Sequence, residues 1–154
     1  MSVPEVHDKP GHLIRRCQQI AVALFLEGCA EFDLTPPQYA VLRVIEAEPG
    51  IDQATLGGLA ALDRSSTARL CAALEARGLL RRAPDPADRR ARRLSLTPEG
   101  TALLARAEPA VASVQEKLLA PLPPPQRQAF LTALHTLAAA HNALSRAPLR
   151  EAAA

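Results

Sequence analysis

Residues 63–100, DRSSTARLCAALEARGLLRRAPDPADRRARRLSLTPEG, constrain this chain more than any other stretch. Asp63 can accept hydrogen bonds from the first free backbone N–H groups of a helix, and Ser65, Ser66 and Thr67 fill the turn that follows. Leu70 and Leu74 recur at helical spacing, with Cys71 beside them, and mark an inward face. Gly78 falls where a left-handed residue closes a helix. Residues 79–82 and 92–97 then read as two short strands, joined by the polar turn Pro84-Asp85-Pro86-Ala87-Asp88-Arg89-Arg90. The expected order is helix, strand, basic loop, strand.

Charge sharpens this reading. Between residues 63 and 93, nine arginines (64, 69, 77, 81, 82, 89, 90, 92, 93) stand against Asp63, Glu75, Asp85 and Asp88, a balance of +5 in a chain that totals +2. The remaining residues therefore sum to −3. Arginine outnumbers lysine sixteen to two, and both lysines lie outside this stretch. Arginine forks onto phosphates and guanine edges and fits a narrow minor groove. A solvated charged hairpin would be the plainer reading of a charge run, but it leaves unexplained why the basic loop follows a helix with a short polar first turn. The pattern fits a winged helix-turn-helix facing DNA. Arg64, Ser65, Ser66, Thr67 and Arg69 on the helix, and Arg82, Arg89 and Arg90 beside it, are the candidate contacts. Ser65, Ser66 and Thr67 could serve as caps alone; the flanking Arg64 and Arg69 favour contact with bases or phosphates.

The chain on either side is helical. Residues 1–9 read as a loose arm, and residues 10–32 as one long helix with an apolar stripe of Leu13, Cys17, Ile20 and Leu24. Thr35 with Pro36-Pro37 starts a second helix that ends at Pro49-Gly50. Asp52 caps a short helix over residues 53–62, and the tight connection at Leu62-Asp63 gives helix-turn-helix spacing. After the hairpin Thr97 caps another helix, in which Pro109 should cause a kink or a new segment. Pro123-Pro124-Pro125 forces a turn, residues 126–145 form a last helix, and residues 146–154 should fray. The expected fold is mainly α with a small two-stranded β-wing. Residues 34–100 form the DNA-binding block, and residues 1–33 with 101–154 form a helical layer through which two copies pair. A two-fold dimer would hold two reading helices about 34 Å apart, matching a palindromic operator.

Composition excludes several classes. With no Trp, one Tyr and three Phe, the core must be built from Leu and Ala, which suits packed helices. No apolar run approaches the roughly 18 residues of a membrane span, and the N-terminus lacks the basic-then-apolar pattern of a secretory signal. Three unevenly spaced cysteines offer neither a disulfide framework nor a zinc site. The four histidines and the acids form no catalytic, metal or phosphate-loop spacing, so neither an enzyme nor a bound cofactor is expected, and the location should be cytoplasmic.

The string Asp88-Arg89-Arg90…Leu96-Thr97…Gly100, with Leu34-Thr35…Gln38-Tyr39…Leu42 and Leu74-Glu75-Ala76-Arg77-Gly78-Leu79, resembles the MarR family (multiple antibiotic resistance regulator) over roughly residues 10–145. The resemblance implies a homodimeric transcription factor, usually a repressor, whose DNA binding responds to a small ligand. By the same resemblance Ser65, Ser66, Thr67 and Arg69 would face the major groove, Arg90 would enter the minor groove from the wing tip, and Asp88 would hold the hairpin and its arginine. Family members that bind aromatic carboxylates use a pocket between the two layers, lined by basic residues of the first helix. The segments around His12 and Gln53-Ala54-Thr55-Leu56 resemble regulators of aromatic or N-heteroaromatic acid catabolism.

His12 and Arg16 are i, i+4 neighbours. With Arg15 and Tyr39 they could hold a carboxylate and an aromatic ring; surface charge and a core tyrosine would explain them equally well. Cys17 sits on an apolar stripe as a small core residue, although Arg15 and Arg16 nearby keep a thiol-based redox sensor open as the alternative to an aromatic-acid effector.

Overall fold

The computed structural model describes residues 3–88 and 90–151. Local side-chain capping sets most element starts. Thr35 opens α3 (Pro36–Ala47) with a reciprocal box: its hydroxyl accepts from Gln38 N at 3.4 Å, and Thr35 N donates to Gln38 Oε1 at 2.9 Å. Asp52 caps α4 (Gln53–Leu59) by accepting from Ala54 N and Thr55 N, both at 2.9 Å. Asp63 caps α5 (Arg64–Ala76) through Ser66 N. Thr97 caps α6 (Pro98–Leu119) by accepting from Gly100 N at 3.0 Å, while its hydroxyl donates to Gly78 O at 2.6 Å. Gly78 holds φ +71 and closes α5, as its place after the apolar face required.

The wing strands are β2 (Leu80–Pro84) and β3 (Arg92–Leu96), paired antiparallel with Leu80 opposite Leu96. A third strand, β1 (Ile51–Asp52), pairs with the other edge of β3, Ile51 opposite Leu94. The sheet is thus three-stranded, in the order β1-β3-β2, where two strands were expected. Two residues are too few for an alternation signal; Gly50, at φ +85, turns the chain and donates to Leu94 O at 2.8 Å.

The core lies between α3, α4, α5, β3 and α6. Val41, Leu42, Ile45, Leu56, Leu74, Leu94 and Leu104 are fully buried there, and Cys71 joins them. α2 (Pro10–Gly28) packs along α6, and its Phe25 belongs to the same buried cluster. Gly28 makes the crossing possible, because a Cβ there would run into Val114. The helix expected to reach residue 32 stops at that point and gives way to a 3-10 turn, Ala30–Phe32.

Three other expectations change. The arm contains a short helix, α1 (Val3–His7). Pro109 starts no new segment: α6 continues through it, with Ala105 O losing only its i+4 donor. Residues 146–151 do not fray but return onto the helix-turn-helix, while 152–154 lie outside the described residues. α7 (Pro124–Ala140) buries no residue at all, and Phe130, Leu131, Leu134 and Leu137 stay exposed on it. Leu13, Ile14 and Ile20 are likewise exposed on α2, and so is Cys17, which was expected in the core. Among the described residues, no element covers that stripe.

Candidate nucleic-acid interface

The first turn of α5 is organised by one carboxylate. Asp63 Oδ1 accepts from Ser66 N and from the Ser65 hydroxyl, both at 2.8 Å, and Oδ2 accepts from the Ser66 hydroxyl at 3.0 Å. These bonds, the Ser66 amide foremost, hold the Asp63 carboxyl down to about 2. Ser65 and Ser66 therefore sit at the exposed end of the reading helix with their hydroxyls turned to the cap. Thr67 is a correction to the expected contacts. It is 1% exposed, its hydroxyl donates to Asp63 O at 2.8 Å, and it packs at the crossing with Gly57 of α4. A residue buried between the two helices cannot reach a groove. Helical spacing placed it within the first turn but could not say which side α4 would cover.

Arg64 and Arg69 are exposed on α5 and form no ion pair among the described residues. Arg82 differs, with its Nε 3.0 Å from Glu75 Oε2, so this arginine braces β2 against α5. In the wing, Asp88 Oδ1 accepts from Arg90 N at 2.9 Å and Asp88 O accepts from Ala91 N at 2.9 Å, which fixes the turn that carries the exposed Arg90. Arg89 lies outside the described residues. The base of the wing is buttressed by a pair that charge counting did not single out. Arg93 donates from Nε to Asp85 Oδ2 at 2.7 Å and from Nη1 to Gly50 O at 2.9 Å. Asp85 also accepts from Ala87 N at 2.8 Å; this bond above all, then Arg93, draws its carboxyl below the usual range.

The four candidate ligand residues do not converge within one chain. Arg15 Nη2 lies 3.4 Å from His12 Nδ1, and the His12 ring stacks on His7 at 5.3 Å. Local desolvation, then the cations around it, push the His12 imidazolium below its ordinary value. Tyr39 instead packs its ring 5.9 Å from Phe25 and donates to Glu108 Oε2 at 2.8 Å. Along α2, Phe25 is thirteen residues beyond His12, or about 20 Å. Phe25 helps line a cavity of about 170 Å³ between α2 and α6, with Gln18, Ala21, Val22, Pro36 and Val114. Arg15 stands one turn before Gln18 and two turns before Val22, on the cavity side of the helix. Arg16, about two and a half turns before Phe25, lies on the opposite side.

Known proteins match this chain both in sequence and in fold. A profile of the MarR family matches residues 32–91. Transcriptional regulator HosA of Escherichia coli O111:H- is 44% identical over 99 residues, which cover 64% of this chain and 73% of HosA. The chain belongs to the MarR family. Among solved structures, the PcaV transcriptional regulator from Streptomyces coelicolor, in complex with its natural ligand, superposes with a TM-score of 0.83 at 38% identity, covering 91% of this chain and 99% of PcaV. Bordetella bronchiseptica BpsR, whose DNA binding is regulated by 6-hydroxynicotinic acid, gives a TM-score of 0.81 at 30% identity, covering 86% of this chain and 94% of BpsR. In MarR terms, α4 and α5 are the helix-turn-helix and β2–β3 the wing, joined to α2 and α6 through one buried cluster.

Proposed function

We propose that this chain is a transcriptional repressor that binds palindromic duplex DNA as a homodimer and is released by a small aromatic or N-heteroaromatic carboxylate. The observation that carries the DNA-binding reading is the set of exposed guanidiniums, Arg64 and Arg69 on α5 and Arg90 at the wing tip, with no carboxylate among the described residues paired to them. Ser65 and Ser66 stand between them; Asp88 holds the wing turn. Thr67 and Arg82 belong to the support of this surface and not to its contacts.

Residues 1–33 and 101–154 form the pairing layer in this reading. The exposed stripes of α2 and α7 are its faces, and a second copy would cover them. The effector would enter the cavity beside Phe25. A void of roughly 150 Å³ is enough for a benzene-sized ring, and this one is about 170 Å³. Arg15 on the same side of α2 would fork onto the carboxylate, with His12 beside it, while Tyr39 backs the cavity through Phe25. BpsR and its 6-hydroxynicotinic acid support the chemical class of that ligand.

The test is selection of bound duplexes from a random library, followed by affinity and light-scattering measurements on the selected duplex. A two-fold symmetric sequence and a dimer in solution are expected. Arg69→Ala should lower the preference for the selected over a scrambled duplex by about 1–3 kcal/mol, and Arg90→Ala should weaken binding with a shallower salt dependence. A folded monomer, or no enriched sequence, would overturn the reading.

A further inference from the structure

The segment that follows α7 is built onto the helix-turn-helix. Asn142 clamps the segment after α7 into a loop: its Nδ2 donates to Leu149 O, and Leu149 N donates to its Oδ1, both at 2.8 Å. Arg150 N then donates to Gly58 O at 2.9 Å, and the Arg150 stem lies over Gly58, where an added Cβ would stand 2.7 Å from Cδ. Arg146 Nη2 reaches Asp63 Oδ2 at 3.1 Å. The segment thus crosses the outer face of α4, from the first turn of α5 to the region of Gly50 and Asp52, above an open groove of about 670 Å³.

In a helix-turn-helix the first helix crosses the DNA backbone while the second enters the major groove. Here the first helix, Gln53–Leu59, contains no Lys or Arg, and its cap is the acid Asp52. It has no cation of its own for a phosphate. The segment lying across it brings two. The Arg146 side chain is 87% exposed, and its partner Asp63 already accepts three hydrogen bonds from Ser65 and Ser66. Arg150 is exposed as well, and its guanidinium makes no ion pair among the described residues. A segment built to mask the interface would present carboxylates to Arg64 and Arg69. This one carries two arginines against the single acid Glu151, the same sign of charge as the surface it adjoins.

We propose that the C-terminal segment, residues 145–151, is part of the DNA interface, and that Arg146 and Arg150 bind backbone phosphates flanking the groove read by α5. The proposal rests on the DNA-binding reading above, and it assigns the phosphate contacts of α4 to residues about ninety positions further along the chain.

The experiment compares wild type, the double variant Arg146→Ala/Arg150→Ala and Arg69→Ala on a selected and a scrambled duplex across a series of KCl concentrations. The double variant keeps the Arg150 backbone bond and the Asn142 clamp, so the segment stays anchored while both arginine side chains are lost beyond Cβ. It should weaken binding by the same factor on both duplexes. The slope of log affinity against log salt should fall by about 0.9 for each phosphate contact removed. Arg69→Ala should instead lower the ratio between the two duplexes. An unchanged slope in the double variant, or tighter binding, overturns the phosphate role. Wild type that binds neither duplex at any salt overturns the DNA-binding reading itself, and the segment's role with it.

Discussion

The Tyr39 hydroxyl donates a 2.8 Å hydrogen bond to Glu108, tying α3 to the middle of α6. Glu108 also takes Arg43 at 3.1 Å, and Arg43 lies 5.8 Å above the Tyr39 ring, so the two helices meet through one small network. Phe25, a wall of the cavity beside α2, packs against the same tyrosine ring at 5.9 Å. In the effector reading proposed above, a ligand that moved Phe25 would press on the contact between α3 and α6.

That contact can be read by titration, because Tyr39 is the only tyrosine in the chain. Burial, followed by the bond to Glu108, pushes its phenol up to about 12. Ultraviolet titration of tyrosinate should give a midpoint near about 12, and Glu108→Gln should bring it down by removing the acceptor's charge. The folded value lies above the ordinary value of 10.0. The network's contribution to stability is thus complete below about pH 10 and is lost as pH rises toward about 12. A midpoint at the ordinary value would show that the phenol is solvated and the bond absent.

Gly57 and Gly100 should be intolerant of even a methyl group. At Gly57 a Cβ would stand 2.8 Å from Thr67 Oγ1 and 3.1 Å from Leu62 O. Gly57→Ala should cost about 1–3 kcal/mol in urea unfolding, and Thr67→Ala in the same chain should restore part of it by removing the clashing oxygen. Gly100→Ala should cost more, because the obstacle is the Leu79 backbone carbonyl, which cannot swing away. Gly11→Ala serves as control: nothing lies within 4 Å of its Cβ position, and in a helix alanine is favoured over glycine. Equal stability for all three variants would mean that the helix crossing is looser than described.

The effector reading separates two adjacent arginines. Arg15 lies on the cavity side of α2 and Arg16 on the other. Release of DNA by a panel of aromatic acids, followed by fluorescence anisotropy, should need roughly tenfold to a hundredfold more acid in Arg15→Ala, as expected for one charge-assisted contact. Arg16→Ala should respond like wild type. Peroxide should leave DNA binding unchanged in wild type; peroxide release that disappears in Cys17→Ser would replace the acid effector with a thiol switch at that exposed cysteine.

The starts of α3, α4, α5 and α6 were legible in the chain because Thr35, Asp52, Asp63 and Thr97 bond backbone groups only two or three residues away. The same locality made Gly78 readable as a stop, whereas Asp88 as the anchor of the wing turn came from the family resemblance. A bond that closes within one turn needs no knowledge of the rest of the molecule. The third strand required Ile51 to find Leu94, and the docked C-terminal segment required Arg146 to find Asp63. Neither pairing leaves a trace in local composition. Burial of Thr67, the bracing of Arg82 by Glu75 and the opposite placement of Arg15 and Arg16 share that cause. Spacing says which residues lie together on a helix, but only the partner helix decides which face turns inward and which cations are left free for DNA.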